Sequence, residues 1–123
     1  MSLLAVGIGG FLGAIGRYGL SGLAYRLFGN SFPYGTLFVN VLGCFLIGFL
    51  VTITEERFLI SPNLRLFLNI GLIGAFTTFS TFGFETVELL RAGSYLSAVA
   101  NVVYSILNGL AAVYFGTVVA RLF

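Results

Sequence analysis

Histidine, tryptophan and lysine are absent from this chain of 123 residues. Only one cysteine is present, Cys44, and it sits inside an apolar run. That excludes a disulfide framework and a cysteine metal site, and it makes Cys44 a small packing residue. Charge is equally scarce. Charged residues make up 8% of the chain, against about 25% in a typical soluble domain. Hydrophobic residues account for 59%, and the mean hydropathy is +1.07. So little reactive chemistry argues against an enzyme, and this composition is that of an integral membrane protein.

What is there falls into four apolar segments. A helix needs about 20 apolar residues to cross a hydrocarbon core. The segments run from about 3–28, 34–54, 64–90 and 95–122, within a single membrane domain, 1–123. The N-terminal stretch has no basic region ahead of it and continues past Arg17, so it reads as the first span, not a removable signal. Gly29 to Pro33 make a short turn, with Pro33 suited to the first turn of the next helix. Glu55–Arg57 through Ser61–Asn63 form the most polar loop. Arg91 to Ser94 close the third span. Short connections make successive helices antiparallel neighbours, and both termini fall on one side. An all-α membrane protein with four transmembrane helices is the expected fold.

Orientation is weakly encoded. Arg57, Arg65 and Arg121 lie on the side of the termini, and Arg26 and Arg91 on the other. The positive-inside rule requires an asymmetry. Two readings stay open: insertion in both orientations, which permits an antiparallel homodimer, or one orientation decided by a single arginine. A lone bundle of four helices encloses little space, which favours an oligomer.

Within the first span, Gly7, Gly10, Gly13, Gly16, Gly19 and Gly22 recur at three-residue spacing, and Gly9 with Gly13 forms a GxxxG pair. Such residues let helix backbones approach closely, so this is a packing face. Gly43 and Gly48 in the second span read the same way. Arg17 lies about 21 Å along the helix from Leu3 at 1.5 Å per residue; it can snorkel to the far interface, and its Gly-rich neighbours favour instead a wet vestibule or an assembly contact. Asn40 is the lone polar residue of its stretch and can donate to an anion or bond a neighbouring helix. Asn101, Tyr104, Ser105 and Asn108 share one face of the fourth span. That face presents donors and no negative charge.

The third span holds the densest polar cluster. Thr77, Thr78, Ser80 and Thr81 alternate with Phe76, Phe79 and Phe82. Hydrocarbon offers hydroxyls no partner, so the cluster packs inside protein or lines a wet path. Gly71 and Gly74 before Thr77–Thr78 mark a helix break near the middle of the span. A broken span exposes carbonyls at the negative end of its first half, where a cation can sit. Phe79 and Phe82 share a helix face, and aromatic ring edges are positive. Glu88 lies near the interface, and Glu85, deeper, is a candidate partner for an arginine.

Three segments together resemble the small fluoride-exporting channels of the CrcB or Fluc family. They are Gly10–Tyr18, Gly35–Gly48 with Asn40 and Gly43, and Gly71–Phe82 followed by Glu85. The resemblance spans the whole chain and implies an antiparallel homodimer of dual topology with two fluoride pores. It assigns Phe79, Phe82 and Asn40 to the pore lining, with Ser80 and Thr81 as adjoining hydroxyls. Tyr104 and Ser105 are carried over as pore residues on the fourth span. A structural Na+ at the dimer centre would be held by the carbonyls of Gly74 and Thr77 from both subunits. Fluoride would leave passively across the cell membrane, in a bacterium the inner membrane, lowering fluoride toxicity. The expected partners are fluoride, lipid and a second copy, with no nucleic acid. The rival readings are a small dual-topology multidrug and proton antiporter, against which the first span carries Arg17 and no acid, and a structural subunit without transport.

Overall fold

The computed structural model describes residues 1–57 and 59–123. Phe58, part of the polar 55–63 loop, lies outside the described residues. The protein is all-helical, with four segments long and apolar enough to cross a membrane and no strand among the described residues. Helix α1 is Ser2–Phe28. Helix α2 is Tyr34–Thr52, prolonged by a wider π-helical turn, Ile53–Arg57. Helix α3 starts as Pro62–Arg65, widens to a π-helical stretch over Leu66–Ile73, and ends on Gly74–Phe76. Helix α4 is Phe79–Arg91 and α5 is Tyr95–Arg121.

Two boundaries differ from the sequence reading. The third segment begins at Pro62 because Ser61 caps it, its hydroxyl accepting from the Leu64 N–H at 3.2 Å. Proline at the first helical position costs no hydrogen bond there. The second segment runs on through Glu55, Glu56 and Arg57 as a π-helical turn. Pro33 precedes the second helix as its cap and is not inside the first turn.

Glycine sets the helix contacts, but not along the stripe the spacing marks out. A Cβ on Gly9 would lie 2.4 Å from the Phe67 carbonyl oxygen, and one on Gly13 would lie 2.1 Å from that of Leu72. Those two residues press α1 onto α3. Gly7, Gly19 and Gly22 have nothing within 4 Å of such an atom. Three-residue steps fall about 60° short of a full turn, so the stripe winds around the helix and leaves the contact. The pair four apart stays on one face. The second glycine contact joins α2 to α5. A Cβ on Gly48 would lie 2.2 Å from the Val113 carbonyl oxygen, and one on Gly116 would lie 2.1 Å from that of Phe45.

Little of the apolar surface is enclosed by the chain itself. Val39 and Asn101 are the largest fully buried side chains, while Leu3, Phe11, Phe79, Leu107 and many others are exposed. That pattern suits helices whose outer faces meet lipid or a second subunit. At one end Arg121 pairs with Glu56 at 3.3 Å, Arg57 donates to the Arg121 carbonyl, and Ser2 donates to Asn63. Both termini therefore share an end with the connection after Arg57. At the other end Arg91 pairs with Glu88 at 2.8 Å.

Candidate functional site

The functional geometry starts from the break between α3 and α4. Helix α3 stops at Phe76, and Thr77 and Thr78 adopt extended backbone, with ψ of 159° and 119°. Asn40 on α2 stands opposite. Its amide NH2 donates to the Thr78 carbonyl at 2.9 Å, and its oxygen accepts the Thr78 N–H at 2.8 Å. One side-chain amide thus satisfies both backbone groups of a residue that has left the helix, as a neighbouring peptide would. The two uses read for Asn40 from the sequence are not exclusive. The interhelical bond is made, and the second amide N–H is not needed for it.

The same exchange frees two carbonyls. In an unbroken helix the Thr78 N–H would bond Gly74, and the Thr81 N–H would bond Thr77. Here the first goes to Asn40, and the second goes to the Thr78 hydroxyl at 3.2 Å, which caps α4. Gly43 allows the approach, since a Cβ there would sit 2.2 Å from Thr77 Cγ2. Thr77 itself bonds back to the Ile73 carbonyl.

Beside the break lies a cavity of about 360 Å³, lined by Asn40, Thr77, Thr78, Phe79, Phe82 and Ser105, among others. The Phe79 and Phe82 ring centroids are 5.7 Å apart, with planes tilted by 44°. Phe79 is 83% exposed in the single chain, so its ring is not core filler. No acidic side chain lines this cavity. Gly74 and Asn69 also reach it. Asn69 donates to the Thr54 hydroxyl, and its own carbonyl oxygen has no partner among the described residues.

A second cavity, of about 770 Å³, holds Arg17 and Arg26 with Tyr18, Tyr25, Thr36 and Thr81. Arg17 makes no ion pair among the described residues and lines this space. Thr78 lines both cavities. Thr81 faces the arginine cavity and hydrogen-bonds to Thr78 at 3.1 Å, while Ser80 is exposed beside Thr78 at 3.4 Å. Thr81 and the two phenylalanines, all on α4, therefore line different cavities, and Ser80 lines neither.

Glu85 pairs with no arginine among the described residues. It accepts from the Tyr25 hydroxyl at 3.0 Å and from the Thr36 hydroxyl. Two hydroxyls satisfy the two carboxylate oxygens instead. Thr36 is one helical turn before Asn40, on the same face, and that spacing was the available signal for it. Tyr25 gave none. The polar face of the fourth span also divides. Asn101 is buried and donates to Thr86 at 2.9 Å. Ser105 bonds Asn101 and reaches the phenylalanine cavity, while Tyr104 lines a separate groove with Phe32, Tyr34 and Leu37, and Asn108 lines another.

The profile of the family described as "CrcB-like protein, Camphor Resistance (CrcB)" matches residues 4–117. The chain belongs to the CrcB-like family. Relatives of nearly equal length accompany it. A "Fluoride-specific ion channel FluC" of Geotalea uraniireducens strain Rf4 is 45% identical over 120 residues, covering 98% of this chain and 97% of the relative. Proteins of the same description are 47% identical over 119 residues in Geobacter sp. strain M21 and 44% identical over 122 residues in Chloroflexus aurantiacus. These cover 97% and 99% of this chain, and 96% and 97% of the relatives.

Proposed function

We propose that the chain is a fluoride-selective ion channel of the bacterial inner membrane that lets cytoplasmic fluoride leave passively. The relatives' printed function motivates the reading, and the cavity beside the break carries it. That cavity gathers an amide donor, hydroxyls and two phenylalanine rings with no fixed negative charge. Fluoride is small and strongly hydrated, so a selective path must replace its water with several close donors and ring edges. Reconstituted protein in fluoride-loaded liposomes should release fluoride to an external electrode when a potassium ionophore balances the charge. Release no faster than from empty liposomes refutes the reading.

The functional unit we infer is an antiparallel homodimer. Open flanks on both cavities and the exposed Phe79 ring support a second subunit. Three arginines against two, or three if Arg17 is counted with Arg26, leave orientation nearly unbiased. Adding three lysines within 55–63 should fix one orientation. The variant alone should then carry no fluoride, and co-expression with a variant biased oppositely should restore transport. Full transport by the lysine variant alone, with its tag on a single side, contradicts the antiparallel pair.

At the centre of that dimer a structural sodium ion fits the carbonyls of Gly74 and Thr77. Both have lost their usual helical donors to side-chain bonds. Unpaired carbonyl oxygens in hydrocarbon are costly, and a small hard cation would compensate them. Prolonged exchange of sodium for a large organic cation on both sides should lower fluoride release severalfold, and sodium should restore it. Release unchanged after such exchange removes the ion from the scheme.

A further inference from the structure

The phenylalanine cavity has a direction. Its wall on α2 steps from Asn40 through Gly43 and Cys44 to Ile47, and its wall on α3 steps back from Thr77 through Gly74 to Asn69. Both walls lead from the break toward the end that holds the termini, where α2 finishes and α3 begins. Asn69 is the outermost residue of the α3 wall. Its bonding is unlike that of Asn40, which uses both ends of its amide, at 2.8 and 2.9 Å. Asn69 makes one bond, to the Thr54 hydroxyl at 3.4 Å. Its buried carbonyl oxygen and its second N–H have no partner among the described residues. Such a half-paired amide is a poor helix tie, because an unpartnered buried polar atom costs stability. Asn69 also lies in the wider-wound stretch Leu66–Ile73, and π-helical turns recur at functional sites. Four residues before it, about one turn nearer the terminal end, stands Arg65. That arginine makes no ion pair among the described residues, and its Nε is buried without a partner. At the same end Glu56 is taken up by Arg121.

We propose that Asn69 is a second amide contact for the permeant anion, at the terminal end of the phenylalanine cavity. This rests on the fluoride-channel reading above. The N–H that Thr54 does not take donates to the ion as it passes between water and the donors at the break. Arg65, farther out on the same helix, favours negative charge there. Asn40 serves the inner end of the path and Asn69 the outer end.

One hydrogen bond with two partners supplies the test. Asn69→Leu and Thr54→Val remove the same bond between α3 and the end of α2 from opposite sides, but only the first takes the amide out of the cavity. Asn69→Asp keeps the side chain's size, can still accept from the Thr54 hydroxyl, and exchanges the donor for a negative charge. All three are purified as full chains, compared with the wild type by size exclusion, and assayed for fluoride release from liposomes. Asn69→Leu should release fluoride about tenfold more slowly, the factor that a hydrogen bond to a charged group carries. Asn69→Asp should be slower still at neutral pH. Thr54→Val should stay within about twofold of the wild type, since a hydrogen bond this long is weak. A residue that only ties two helices would give equal losses in Asn69→Leu and Thr54→Val, and that result overturns the proposal. Normal release by Asn69→Leu or by Asn69→Asp overturns it as well. Should Asn69→Leu fail to assemble, Asn69→Asp against Thr54→Val decides in the same way. Absence of fluoride release by the wild type would overturn the channel reading itself, a result distinct from failure of the Asn69 contact alone.

Discussion

Asn40→Asp should abolish fluoride release at neutral pH. The substitution removes the NH2 that holds the Thr78 carbonyl at 2.9 Å and sets a carboxylate oxygen against it. A charge at the centre of a membrane helix costs about 3 kcal/mol on insertion scales, and here it would also repel the permeant anion. Asn40→Leu separates the two effects. It adds no charge but leaves the Thr78 N–H and carbonyl unpaired, at about 1–3 kcal/mol for each buried group. Both variants should therefore lower the melting temperature in detergent, and Asp should in addition block release from the protein that assembles. Liposome release and thermal unfolding followed by size exclusion measure both. An Asp variant with wild-type release would remove Asn40 from the anion's path.

The second large effect is expected at the paired rings. Phe79→Leu with Phe82→Leu keeps apolar bulk and removes both ring edges. At on the order of 1 kcal/mol per quadrupolar contact, two lost edges correspond to about a thirtyfold slower release. Within its own chain Phe79 is 83% exposed, so its replacement opens no cavity in the subunit core. A double variant that still assembles as the wild type does, with a much lower release rate, is the expected outcome. Normal release from the double variant contradicts a pore role for the rings.

The sequence made the helices legible because apolar segments of bilayer length are hard to mistake among so few charges. The break was legible for a related reason. A run of hydroxyls after Gly71 and Gly74 is improbable inside a lipid-facing helix, and the break follows at Thr77–Thr78. Asn40, alone in its stretch, marked itself. Partner choice was not legible. Tyr25 and Thr36 lie far from Glu85 in sequence, and neither stands out when hydroxyl residues are common. Periodicity placed Asn101, Tyr104, Ser105 and Asn108 on one face, but a face does not reveal which neighbour covers each turn. The glycine spacing did not show which glycines pack within the chain, because recurrence at three residues winds around the helix, and only Gly9 and Gly13 press tightly on α3.

Helix α4 buries none of its residues, and α5 buries six. Its ties to the rest of the chain run largely through side-chain bonds: Asn40 to Thr78 at its cap, Tyr25 and Thr36 to Glu85, and Asn101 to Thr86. Packing strength and polar anchoring are thus divided between α5 and the half-helix α4. Regions with few buried contacts open locally at a fraction of the global unfolding free energy. The half-helix is accordingly a separate cooperative unit, whose backbone amides should exchange with deuterium ahead of those in α5. The proposed path of the ion thus follows a half-helix held by side-chain bonds, beside a frame of helices packed on glycine.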